Sequence, residues 1–111
     1  METQAEYTIV DERTVQGKQS EIIEHHGIDK QLDQLIEECG ELIVAISKYK
    51  RYIPGGNMIG VSFIHEIIQE LADVKNLIEQ LELSSEFIDE GVSKVKEYKV
   101  NREIDRISKV K

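Results

Sequence analysis

DKQLDQLIEECGELIVAISKYKRY, residues 29–52, decides how this chain is read. Leu32, Leu35, Ile36, Cys39, Ile43 and Ile46 recur at the three-and-four spacing of an amphipathic helix. Asp29 follows Gly27, so the pattern predicts an N-cap just past a helix stop. Within it lies EECGE, residues 37–41, which crowds glutamates at distances where like charges repel on a helix. Something must offset that repulsion.

The flanking sequence repeats the helical period. SFIHEIIQELADVKNLIEQLEL, residues 62–83, carries Ile64, Ile67, Ile68, Leu71, Val74, Ile78 and Leu81 at helical spacing. SSEFIDEGVSKVKEYKVNREIDRISKVK, residues 84–111, opens on a serine cap and continues through Ile88, Val92 and Val95. A shorter helix is expected from about Thr14 to His26. YIPGGNMIG, residues 52–60, holds the single proline and most of the turn chemistry; PGGN reads as a connecting turn or as a lid over a site. YTIV, residues 7–10, is the one extended-looking stretch and is too little for a sheet.

The pattern predicts an all-α bundle of one short and three long helices. Residues 19–111 form the domain, behind an N-terminal extension at 1–18. The last two helices have almost no linker and should form an antiparallel hairpin.

A chain of 111 residues supports one modest core, and domains of this size often bury further surface by self-association. Twenty-two acidic residues against 14 Lys and Arg leave a net charge of −8. That balance argues against a general nucleic-acid binder or an anionic-membrane binder. Cys39 is the single cysteine, so no intramolecular disulfide can form, and a reducing cytoplasm suits the chain. No apolar run has the length of a membrane span, and the acidic N-terminus does not resemble a signal peptide.

Helical rotation assigns each carboxylate a direction. With Leu32 at zero, the apolar arc runs from about 260° at Tyr49 to about 40° at Ile36. Glu38 lies at about 240°, on its rim, while Glu37 and Glu41 point away at about 140° and 180°. On the next helix, with Ile64 at zero, Glu70 falls at about 240° inside the apolar arc and Asp73 at about 180° just outside it. Two adjacent helices thus each offer a carboxylate pair at i, i+3 beside the core. Four anions sharing a partly buried volume need cations, and an all-oxygen donor set suits Mg²⁺ or Mn²⁺ rather than zinc. The plainer reading is a solvated acidic face on a chain rich in acidic residues.

The last helix divides in the same way. Its inward face begins with Ile88, Val92 and Val95 and continues as Lys99, Arg102 and Arg106. Those cations would either face the acidic cluster and hold phosphates, or lie on a helix end that leaves the bundle. In the second case the strip Val100, Ile104 and Ile107 would dock a partner chain. Gly91 is expected to permit close helix approach, Cys39 to be a small core residue and His65 to be exposed.

EECGE, followed after a gap of 28 residues by ELAD at Glu70 to Asp73, resembles the EExxE…ExxD signature of MazG-like proteins. These form part of the all-α nucleoside triphosphate pyrophosphohydrolase superfamily, and the resemblance covers about residues 19–106. It implies a Mg²⁺-dependent helical bundle, working as a homodimer or homotetramer, that cleaves an NTP or dNTP to the monophosphate and pyrophosphate. By position, Glu38, Glu41, Glu70 and Asp73 would hold the metal. Glu38, with Glu37 as second candidate, would orient the attacking water, and Lys96, Lys99 and Arg102 would contact phosphates. The alternatives are a non-catalytic helical oligomerisation module and a protein that binds nucleotides without cleaving them.

Overall fold

A computed structural model describes residues 13–52 and 61–110. Four helices follow one another: α1 (Val15–His26), α2 (Ile28–Tyr52), α3 (Val61–Ser84) and α4 (Glu86–Val110). No strand occurs among the described residues. The extended YTIV stretch and the PGGN turn lie outside them, and α1 begins before the 18/19 boundary drawn from the sequence.

Local chemistry sets the helix ends. Thr14 caps α1, its hydroxyl oxygen accepting from the Gly17 N–H at 3.0 Å. Gly27 ends α1 with a φ of 88°, which an L side chain rarely adopts, and its N–H donates to the Ile23 carbonyl at 2.8 Å. The Gly27 carbonyl then accepts from the Gln31 N–H at 3.2 Å, so one glycine serves both helices. The expected N-cap at Asp29 is therefore corrected. Asp29 sits within the first turn of α2, where its carboxylate suits the helix dipole. Ser85 caps α4, its Oγ accepting from the Ile88 N–H at 3.3 Å.

The α2–α3 pair is an antiparallel hairpin that forms the body of the fold. Its register is marked by Gln31 Nε2 donating to Gln80 Oε1 at 2.8 Å near one end and by Tyr52 stacked on Phe63 at 5.4 Å at the other. α1 packs mainly on α3, where Gln19 Nε2 donates to Asn76 Oδ1 and Glu79 Oε1, each at 3.0 Å. Gln19, Gln31 and Gln80 are all buried, and these bonds offset the cost of taking their amides out of water. The buried apolar set is small: Ile23, Ala45, Tyr49, Val74 and Leu77.

The face each hairpin helix buries is not centred on its apolar stripe. On α2 the chain covers Gln31, Ala45 and Tyr49, with Leu35, Glu38 and Leu42 half-buried, a face centred near 260° on the Leu32 scale. Leu32, Ile36, Ile43 and Ile46, expected in the core, are exposed; Ile36 is 73% accessible and Ile43 64%. α3 behaves alike, burying Val74, Leu77 and Gln80 while exposing Ile68, Leu71 and Ile78. In both helices the uncovered stripe is turned roughly 100° from the buried face. Because the helices run antiparallel, equal rotations bring both stripes to the same side. The hairpin therefore presents one continuous aliphatic face.

Among the described residues α4 packs against α3 alone and buries no side chain. Of the two expectations for its cations, the single chain adopts the departing helix. Gly91, expected to permit a close helix contact, has no atom within 4 Å of where a Cβ would stand. The radius of gyration is 17.4 Å, against roughly 13 Å for a compact domain of this length.

A candidate carboxylate centre on the hairpin

Sequence spacing and hairpin register together converge the acidic residues. Glu38 and Glu41 lie one turn apart on α2, and Glu70 and Asp73 one turn apart on α3. The register that pairs Gln31 with Gln80 sets Glu41 level with Glu70 and Glu38 level with Asp73. One oxygen from each of Glu38, Glu41 and Glu70 falls within 4.8 Å of the others. Glu38, placed on the rim of the apolar stripe by sequence, lies in the middle of the buried face instead, because that face is rotated. Asp73, exposed like Glu41, stands beside this triad, near Glu38.

The electrostatics are those of a site short of positive charge. Gln34 Nε2 donates to Glu38 Oε1 at 3.0 Å, while Glu38 Oε2 and Glu70 Oε2 are buried with no hydrogen-bond partner among the described residues. Burial pushes the Glu70 carboxyl up to about 6; the charges of Glu41, Asp73 and Glu38 add to the effect, as does a hydrogen bond with Glu38. Desolvation also raises Asp73, with the Glu38 charge and a hydrogen bond to Glu38 as further causes. With every group ionised, the oxygens are left facing one another unpaired.

A cleft of about 620 Å³ opens beside the triad and shares Glu41 and Glu70 with it. Gly40, Val44 and Ala45 form an apolar strip along its α2 wall, and Glu66 and Gln69 stand on the α3 side. Glu37 lines the cleft too, outside the three-oxygen cluster. Lys48 lines it as well, two turns beyond Glu41. The sequence reading missed Lys48; the available signal was its seven-residue spacing from Glu41, which keeps both on one helix face.

The structure does not bring the expected phosphate contacts to this cleft within one chain. Lys96 and Lys99 line a separate open groove on α4 with Gly91, Val92 and Val95. The Arg102 guanidinium lies 5.8 Å from the Tyr98 ring centre, and Arg106 is 3.5 Å from Glu103 on the same helix. His65, expected exposed, is half-buried.

No protein-family model, curated protein or solved structure matches the chain. None of the described helices is long and apolar enough to cross a membrane.

Chemically, the centre offers oxygen donors only, in a partly dehydrated setting that favours either a proton or a cation. The donor set fits Mg²⁺ or Mn²⁺, and the two orphaned oxygens are lone pairs that such an ion would satisfy.

Proposed function

We propose that the protein is a Mg²⁺-dependent, MazG-like nucleoside triphosphate pyrophosphohydrolase. It cleaves an NTP or dNTP between the α- and β-phosphates, giving the monophosphate and pyrophosphate. The observation that carries this reading is the triad Glu38–Glu41–Glu70, with two buried unpaired oxygens, at the edge of a cleft of nucleotide-compatible size. Sequence resemblance to the EExxE…ExxD signature supplies the reaction class.

In this reading Glu38, Glu41, Glu70 and Asp73 hold the metal, Mg²⁺ or Mn²⁺. Such an ion, when bound, would offset the charge of the triphosphate and lower the pKa of water there. Glu38 orients the attacking water and takes its proton, with Gln34 fixing the carboxylate through Oε1. Glu37, on the cleft wall, is the second candidate for that step. As the new P–O bond forms, the anhydride bond breaks and pyrophosphate leaves with the bonding electrons.

Lys96, Lys99 and Arg102 contact phosphates in the assembled protein, since among the described residues α4 does not pack on α2 within one chain. The assembly, a homodimer or homotetramer, buries the aliphatic face of the hairpin. The protein works in the cytoplasm on free nucleotides, not on nucleic acid or membranes.

The test is a screen of the eight common NTPs and dNTPs with Mg²⁺ or Mn²⁺, with products identified by mass. The expected result is a nucleoside monophosphate and pyrophosphate in equal amounts from at least one substrate. Release of orthophosphate, or no turnover of any substrate, contradicts the proposal. The exposed apolar stripes favour self-association in either case, so a catalytically inert assembly module is the reading that a silent screen would leave standing.

A further inference from the structure

We propose that Lys48 binds the terminal phosphates of the substrate, at the far end of the cleft from the carboxylate centre. The inference rests on the nucleotide-hydrolase reading above and names a contact which that reading does not supply.

Four carboxylates line the cleft, and Lys48 is its one cationic side chain among the described residues. Among the described residues Lys48 makes no ion pair, although Glu37, Glu41 and Glu66 line the same space. This lysine remains available to a ligand. Glu41 and Lys48 share a helix face seven residues apart, about 10 Å along the axis. The lysine stem spans part of that distance, so its ammonium and the carboxylate centre can hold the two ends of a triphosphate. Between them the wall is Gly40, Val44 and Ala45, with no side chain that competes for the phosphate oxygens. Nothing stands within 4 Å of where a Gly40 Cβ would be, which leaves that path open.

The division of labour follows from charge. Carboxylates repel phosphate unless a metal intervenes, whereas an ammonium attracts it directly as a compact point charge. Cleavage of the α–β anhydride adds charge to the departing pyrophosphate, and Lys48 stands where that charge can be met.

Binding of Mg²⁺–tripolyphosphate, which has no base or sugar, separates this role from base recognition. Lys48→Met should weaken its binding about tenfold or more, with Lys48→Arg within about threefold of wild type and Mn²⁺ affinity unchanged in both. Lys48 is exposed on α2, so both variants should fold as wild type does, which thermal melts will verify. Wild-type affinity for tripolyphosphate in Lys48→Met overturns the Lys48 assignment alone. Equal loss in the Met and Arg variants also overturns it, because charge would then not be what matters. A wild-type protein that binds neither Mn²⁺ nor tripolyphosphate overturns the hydrolase reading and this inference together.

Discussion

Glu70→Gln is expected to abolish turnover while making the metal-free protein more stable. Glu70 lies in the buried half of the hairpin with one oxygen unpaired, and burial and three neighbouring carboxylates raise its carboxyl to about 6. A raised carboxylate pKa means that the folded state holds the proton more tightly than the unfolded chain does. Its contribution to stability is therefore full below the ordinary value of 4.5 and is lost as pH rises through about 6. In EDTA, wild type should lose melting temperature across that window, and the glutamine variant should lose much less. Above pH 7 the metal-free variant should melt several degrees higher, since about 1 kcal/mol corresponds to roughly 4–8 °C in a small domain. Under the proposed function the same substitution removes a metal ligand, so turnover should fall at least about 100-fold and added Mg²⁺ should no longer raise the melting temperature. A variant that turns over normally removes Glu70 from the mechanism. One that is destabilised in EDTA at neutral pH contradicts the account of its electrostatics.

The second large effect concerns assembly. Ile43 and Ile68 are level with one another on the exposed side of the hairpin, and in a single chain they are 64% and 55% accessible. Were the protein a monomer, replacing both by glutamate would shift stability by only a few tenths of a kcal/mol each. If a second copy covers them, each isoleucine contributes about 1.5–3 kcal/mol of burial, and two charges in the interface would cost more. The native protein should sediment at no less than twice the 12.8 kDa of one chain, and Ile43→Glu/Ile68→Glu should sediment as one chain. The double variant should also lose turnover if α4 cations from another copy complete the phosphate contacts. A wild-type monomer at tens of micromolar, or a double variant that stays assembled, defeats this part of the account.

Much of the architecture could be read from residues whose chemistry is local. Gly27, the Thr14 region and Ser85 mark helix ends through capping, and the three-and-four spacing around Leu35, Ile67 and Ile88 marks helices. Convergence of Glu38 and Glu41 with Glu70 was also legible, because i, i+3 pairs on paired helices have few places to go. Covering partners were not legible. Periodicity finds the face that prefers to leave water, but it does not say which neighbour covers it. Ile36 and Ile43 lie on that face and remain open, while Gln31, Gln80 and Gln19 are buried because their amides find partners. Lys48 escaped notice for a related reason. A lone lysine on a polar helix face means little until the opposite wall, with Glu66 and Gln69, makes that face one side of a cleft.

The central claim is that side chains from α2 and α3 together create a place for a divalent ion. Titration of the metal-free protein with Mn²⁺, followed by electron paramagnetic resonance, tests it most directly. Saturable binding of at least one ion per wild-type chain, lost in Glu41→Gln and in Glu70→Gln, is the predicted result. Mn²⁺ that stays free in the presence of wild-type protein, or that binds both variants as tightly as wild type, would contradict it.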